Sequence, residues 1–247
     1  MHHFFVPAEN IHGSEAAITG QDVNHIVNVL RIKPGEEITV NDGSATYLCR
    51  VCGLSGEKVL TEIIETMEST ELCSRIYLFQ GIPKNDKMEM IIQKSVELGV
   101  YQILPVDMKR CVSRIEPGKK QETKRTRWRA ISESAAKQSK RTLIPEIGPF
   151  LGWQEALSFA RTLDVLLLPY EKAEGMAQTR KILQDIKPGQ SVGIFIGPEG
   201  GFEESEVREA AAAGAKPLSL GKRILRTETA GPALLSMLVL YLDELRT

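Results

Sequence analysis

The sequence predicts an α/β chain with a small β-rich domain at residues 1–70 and a larger domain, residues 75–247, built on a parallel sheet. Three observations predict it. Short β-prone runs separated by Gly-containing turns fill the first part. From Arg75 onward, apolar strand-like runs alternate with helical periodicity. Two Gly-rich turns, each after an apolar run and before a helix, fall near the end of the chain.

In the first part, Gln21 to Leu30 places Val23, Ile26, Val27 and Leu30 on one side of a helix that Lys33-Pro34-Gly35 stops. Glu37 to Asn41, Thr46 to Cys52 and Val59 to Ile64 are predicted strands, divided by the turn signals Asp42-Gly43 and Ser55-Gly56. They suggest a small barrel with little room for an enzyme site. The polar stretch Glu65 to Ser74 is the expected linker. Cys49 and Cys52 form a C-x-x-C, but in a strand residues three apart face opposite sides, which is poor geometry for a shared metal or a disulfide; no metal site is expected.

In the second part, Ile76 to Phe79 is a strand and Asp86 to Leu98 a helix with Met88, Ile91, Ile92 and Val96 inward. Gly99 is its expected cap and Gln102 to Val106 the next strand. A basic helix follows, then the strand Val165 to Leu168, a helix around Ala173 to Gln184, the strand Val192 to Ile196, the helix Glu203 to Ala213 and a last helix from about Thr229. Charge is uneven. From Lys109 to Arg141 there are twelve basic residues against the three acids Glu116, Glu122 and Glu133, although the whole chain carries a net charge of −1. A solvated helix face usually mixes signs, so this imbalance reads as a phosphate footprint, with Arg125 and Arg129 as its test positions. Trp128, Ile131 and Ala135 recur at helical spacing, which makes Trp128 a core anchor.

The longest apolar stretch, Ala233 to Tyr241 broken only by Ser236, is too short to span a bilayer. The N-terminus lacks a basic region followed by an apolar one, so a cytoplasmic chain is expected. The last helix carries Leu234, Leu235, Met237, Leu238, Val239, Leu240 and Leu242 and has almost no polar face. It must be covered all round, either by a second subunit in a homodimer, which we favour, or as a central core helix of a monomer. Gly231-Pro232 is expected in its first turn, where the missing N–H has no partner to lose.

The Gly-rich turns are Gly197-Pro198-Glu199-Gly200-Gly201 and Leu220-Gly221-Lys222-Arg223-Ile224-Leu225-Arg226-Thr227-Glu228-Thr229-Ala230. Neither matches a dinucleotide or triphosphate loop, and Glu199 would repel phosphate. A neutral or cationic cofactor such as S-adenosylmethionine fits better. These segments, with Ile196 and Phe202 around the first, resemble the signatures of the SPOUT superfamily, and within it the bacterial 16S ribosomal RNA uridine N3 methyltransferases. The resemblance extends to Asn24-His25, Val29-Leu30-Arg31, Gly35, the run Gln93 to Val100, and Ser134 to Ser139 through Arg141.

The resemblance implies a PUA-like RNA-binding β-barrel ahead of a SPOUT-type parallel sheet whose C-terminal chain forms a trefoil knot, a topology that general rules on threading would not suggest. It also implies a homodimer, S-adenosyl-L-methionine as cofactor, and 16S rRNA or the small ribosomal subunit as partner. Carried onto this sequence, the cofactor would lie against Leu168, Glu171, Ile196, Gly197, Pro198, Glu199, Gly200, Gly201, Leu220, Gly221, Ile224, Leu225, Arg226, Thr229 and Ala230. Methylation at N3 requires loss of a weakly acidic N–H. Arg226 is the first choice for the cation that spreads the resulting charge, and Glu199 and Glu228 are the possible bases, Glu228 equally a helix-terminal charge. RNA candidates are His25, Arg31, Arg110, Arg114, Arg125, Arg129, Lys137, Gln138 and Arg141, with His25 alternatively a core histidine. Two other readings stay open: a non-catalytic RNA-binding assembly factor, and a related methyltransferase with a different RNA target.

Overall fold

The computed structural model describes residues 1–247 apart from 114, 116, 117, 174 and 245–247. The chain divides into two compact units, one of residues 1–71 with 136–144, the other of 72–135 with 145–247. The sequence reading placed 136–144 wholly with the second.

The first unit is a six-stranded sheet. Its strands are β1 (His3–Phe5), β2 (Ile11–His12), β3 (Glu15–Thr19), β4 (Glu37–Asn41), β5 (Thr46–Leu54) and β6 (Lys58–Met67), ordered β1-β4-β5-β6-β3-β2. All neighbours are antiparallel except β1 and β4. Helix α1 (Gln21–Asn24) continues as a wider π-type turn over His25–Leu30, and Val23 and Ile26 are buried as their spacing predicts. Ile18, Ile26, Ile38, Val40, Cys49 and Val59 form the dry centre. Cys49 is buried and Cys52 exposed, on the opposite faces that strand geometry requires. β6 runs three residues into the expected linker.

His3 closes one end of this unit. Its Nδ1 lies 2.9 Å from Thr39 Oγ1 and its Nε2 3.2 Å from the Arg141 carbonyl oxygen. Nearby, the buried Arg141 guanidinium pairs with Glu71, whose Oε1 also accepts the Thr142 N–H at 2.8 Å.

The second unit has a parallel sheet ordered β10-β8-β7-β12-β11-β13, with β9 also pairing β8. The strands are β7 (Arg75–Gly81), β8 (Gln102–Asp107), β9 (Glu146–Ile147), β10 (Leu151–Gly152), β11 (Val165–Pro169), β12 (Ser191–Ile196) and β13 (Ala215–Leu218). Between them run α2 (Lys87–Glu97), α3 (Lys119–Ser139), α4 (Trp153–Ala160), α5 (Met176–Gln184) and α6 (Glu204–Ala212), and α7 (Thr227–Glu244) follows the last strand. The central strands are almost wholly apolar because both faces are covered: Ile76, Leu78, Phe79, Ile194 and Phe195 have no exposure, and Phe79 stacks on Phe195 at 4.6 Å. On α2, Met88, Ile91, Ile92 and Val96 point inward as predicted. Trp128 of α3 is a core residue, tilted against Phe150 at 5.4 Å.

α7 begins at Thr227, so Pro232 falls inside the helix rather than in its first turn, and the Glu228 carbonyl loses its usual i+4 donor. One side of α7 is covered within the unit, with Leu234, Leu235, Leu238 and Leu242 buried. Leu240 is 61% exposed and Met237 partly so.

Candidate cofactor and active site

The loops at the carboxyl ends of β11, β12 and β13 line one cleft of about 480 Å³. This is the ligand edge of an open parallel sheet, where backbone groups left unpaired at strand ends face outward. The lining comprises 169–172 after β11, 196–202 after β12 and 219–227 after β13, joined by Lys87, Arg110, Glu204 and Ala230.

The structure thus brings together Glu171, Ile196, Gly197, Pro198, Glu199, Gly200, Gly201, Leu220, Gly221, Ile224, Leu225, Arg226 and Ala230 of the expected cofactor residues. Leu168 has no exposure and packs in the core, and Thr229 is exposed outside the lining. The resemblance implies contact at Leu168 mainly through backbone, and its side chain belongs to the buried core cluster of this unit.

Close backbone packing shapes the first loop. A Cβ on Gly81, at the end of β7, would lie 2.7 Å from both the nitrogen and Cδ of Pro198. A Cβ on Gly197 would lie 3.1 Å from the Gly201 carbonyl carbon, so a larger residue there would push the returning backbone of the loop outward. A buried relay fixes its start. Gln80 Nε2 donates to Thr227 Oγ1 at 2.9 Å, and Thr227 Oγ1 donates to the Gly197 carbonyl at 2.7 Å. The relay ties β7, the first Gly-rich loop and the first residue of α7 together.

Electrostatically the cleft wall is organised around Lys87, a residue that sequence reasoning missed. Its Nζ lies 3.2 Å from Glu199 Oε1 and 3.2 Å from Glu228 Oε2. Glu199 also accepts the Lys84 N–H at 3.1 Å. Burial alone would raise the Glu199 carboxyl, but backbone N–H groups and the Lys87 ammonium outweigh it and hold the carboxyl below its usual value. Hydrogen bonding to Glu199, and secondarily Glu228, raises Lys87 above its usual value. Glu199 lines the cleft whereas Glu228 is not part of the lining. Arg226 is exposed on the cleft wall and makes no ion pair among the described residues.

The expected RNA residues divide. His25, which opens the π-type turn, and Arg31, which follows it with a left-handed φ of 56° that ends the helix, are both exposed. Exposure removes the core reading of His25. Gln138 is exposed, and Lys137 pairs with Asp22 at 3.0 Å. Arg110 lines the cleft, donating to the Gly200 carbonyl at 3.0 Å and to Glu203 at 2.9 Å. Arg125 is largely covered and donates to the Ile147 carbonyl at 3.0 Å, while Arg129 pairs with Glu122 at 3.3 Å. Arg141 is 5% exposed, which takes it out of any surface footprint. Arg114 lies outside the described residues. Charge counting registered these cations without their internal carboxylate partners.

Comparison with known proteins agrees with this architecture. Residues 18–64 match the RNA methyltransferase PUA domain. The chain is 36% identical over 236 residues to the ribosomal RNA small subunit methyltransferase E of Bacillus subtilis, covering 93% of this chain and 91% of the relative. It is 34% identical over 220 residues to the protein of that name from Mesomycoplasma hyopneumoniae, covering 89% and 91%. A crystal structure of a ribosomal RNA small subunit methyltransferase E from Neisseria gonorrhoeae, bound to S-adenosyl methionine, superposes with a TM-score of 0.81 at 34% identity over 96% of each chain. Residues 70–239, most of the chain, match the RNA methyltransferase domain, and the chain belongs to that RNA methyltransferase family.

Proposed function

We propose that this protein transfers a methyl group from S-adenosyl-L-methionine to N3 of a uridine in 16S rRNA of the small ribosomal subunit. The observation that carries the reading is the cleft itself, where Arg226 and the carboxylate of Glu199 share a wall built from backbone-rich loops at the ends of three parallel strands. The donor fits that wall: the glycine turns leave backbone close to the cleft, and Glu199 and Glu171 offer negative charge to a sulfonium. When bound there, the cofactor supplies an electrophilic methyl group. The names of the relatives and the bound state of the gonococcal protein support both cofactor and substrate class.

The neutral N3 has no free lone pair for attack, so the protein must favour the uracil anion. Arg226 holds a fixed positive charge where the anion's oxygens would lie, a stabilisation worth more in the transition state than in the ground state. Glu199, on the cleft and ionised, accepts the N3 proton. Glu228 is displaced from this role by its position behind Lys87.

In the same reading, residues 1–70 are a PUA-like RNA-binding domain, residues 75–247 a SPOUT domain, and the protein works in the cytoplasm as a homodimer. The exposed Leu240 and half-covered Met237 on α7 support a subunit contact there. The chain returns from the edge strand β13 to the middle of the sheet, where Thr227 meets Gly197 and Gln80, a path that suits the trefoil knot.

The test is incubation with labelled S-adenosylmethionine and small ribosomal subunits lacking the modification, followed by nuclease digestion and mass spectrometry. Labelled 3-methyluridine is expected; a different methylated nucleoside would refute the N3 assignment. Arg226→Ala should cut turnover far more than cofactor affinity, and equal losses would make it a binding residue.

A further inference from the structure

Glu199 and Glu228 share Lys87 but differ in every other respect. Glu199 reaches the cleft, and its Oε1, the oxygen nearest Lys87, also accepts the Lys84 N–H at 3.1 Å. Glu228 stands in the first turn of α7, away from the lining; its Oε2 is buried, with the Lys87 ammonium at 3.2 Å as its ion-pair partner. Lys87 opens α2, so three separate segments of chain meet at one nitrogen. A lysine held by a single carboxylate swings on a four-carbon stem and fixes little. Held between two carboxylates on different elements, it becomes a rigid bracket.

We propose that Lys87, anchored from behind by Glu228, is a positioning residue that orients the Glu199 carboxylate to take the N3 proton during methyl transfer. The inference rests on the methyl-transfer reading above. In the step, the N3–H bond breaks and its proton passes to Glu199. The electron pair left on N3 forms the N–CH3 bond, and the S–CH3 bond breaks with its electrons staying on sulfur, which gives the neutral thioether. Before the step Lys87, Glu199 and Glu228 together carry one negative charge; after proton transfer they are neutral, and the uracil anion is balanced by Arg226. Bulk solvent removes the proton once product leaves. Glu199 already sits below the usual carboxylate range, which keeps it ionised and ready at neutral pH.

The experiment is single-turnover methyl transfer to unmodified small subunits across acid to alkaline pH, with binding of S-adenosylhomocysteine measured alongside. Lys87→Met should slow transfer by about tenfold or more and move the acidic limb of the profile to higher pH, because Glu199 loses its neighbouring ammonium. Affinity for S-adenosylhomocysteine should stay within about threefold of wild type. Lys87→Arg should recover most of the rate and return the limb. Glu228→Gln should give a smaller loss of rate without moving the limb to higher pH, because it removes a neighbouring negative charge, and Glu199→Gln the largest loss. The remaining charged side chains of the cleft, Arg110, Glu171, Lys172, Glu204 and Arg226 among them, are common to every variant, so a moved limb reports the bracket. A Lys87→Met enzyme with the wild-type rate and limb would overturn the proposal, as would a rate loss matched by lost affinity or a Glu228→Gln enzyme as slow as Glu199→Gln. A wild-type chain that transfers no methyl group would instead overturn the functional reading, and the same control shows it.

Discussion

Thr227→Val removes one hydroxyl from the centre of the second unit while keeping the side chain's shape, so no cavity term enters. The hydroxyl donates to the Gly197 carbonyl at 2.7 Å and accepts from Gln80 Nε2 at 2.9 Å. Gln80 has no exposure and its Oε1 has no hydrogen-bond partner among the described residues, so the amide is already short of one bond. Gln80 Nε2 keeps one bond to the Gly81 carbonyl at 2.9 Å, and the Gly197 carbonyl lies beside the cleft, where water can replace the lost donor. The cost is therefore nearer that of one orphaned buried group than of two: about 2 kcal/mol, or a melting point lower by about 4–8 °C for a chain of this size. Both tryptophans, Trp128 and Trp153, belong to the second unit, so thermal unfolding followed by tryptophan fluorescence reads the affected region directly. Because the relay holds the start of the Gly197 loop, cofactor affinity measured by calorimetry should fall by about fivefold, close to 1 kcal/mol. Thr227→Ser, which keeps the hydroxyl, should recover most of both losses. A Thr227→Val chain that melts within about 1 °C of wild type would refute the view that this relay is a dry, stabilising link.

Gly81→Ala places a methyl 2.7 Å from the Pro198 backbone nitrogen, so the loop must shift; cofactor affinity should drop by about tenfold or more, and unchanged binding would show that the loop moves freely. Arg141→Met removes the cation from the partly buried Glu71 carboxylate, which keeps the Thr142 and Leu143 N–H donors, and should destabilise the first unit by about 2 kcal/mol in denaturant titrations, whereas a surface RNA contact would leave stability intact. Burial holds His3 below its usual value of 6.5, against the opposing hydrogen bond to the Arg141 carbonyl, while Lys140 and Lys137 push it the same way as burial. The unfolded chain therefore takes up this proton first, and the stability His3 contributes at neutral pH should fall as pH drops below 6.5 toward the folded value. His3→Gln should flatten that part of the stability profile, and an unaltered slope would assign it to other groups.

The elements most legible in the sequence were those whose pattern is local. Met88, Ile91, Ile92 and Val96 announce a buried helix face by spacing alone, and all four are buried. The Gly-rich turns were legible because so few backbone geometries require Gly in such density, and they do line the cleft. What stayed hidden depends on pairs remote in sequence. Lys87 reads as an ordinary helix-terminal charge until Glu199 and Glu228 are placed beside it. Arg141 counts as one more cation in a basic run, although Glu71 holds it inside. Strands β1 to β3 are short, and periodicity over two to five residues carries too little signal to find them. Pro232 was misplaced because Thr227 enters α7 through its relay with Gln80 and Gly197, which starts the helix two residues before the expected Thr229.

The segment 136–144 joins the first unit although most of α3 belongs to the second. The backbone therefore leaves the N-terminal unit, comes back to complete it, and departs again. A fragment ending just after Glu71 would lack both the carbonyl that holds His3 and the guanidinium that pairs with Glu71. The N-terminal part is thus not a cassette that can be lifted out or exchanged by cutting once. A chimera that exchanges residues 1–71 for a foreign domain would have to carry its own version of this return segment, or strand Arg141 without the carboxylate that pairs with it.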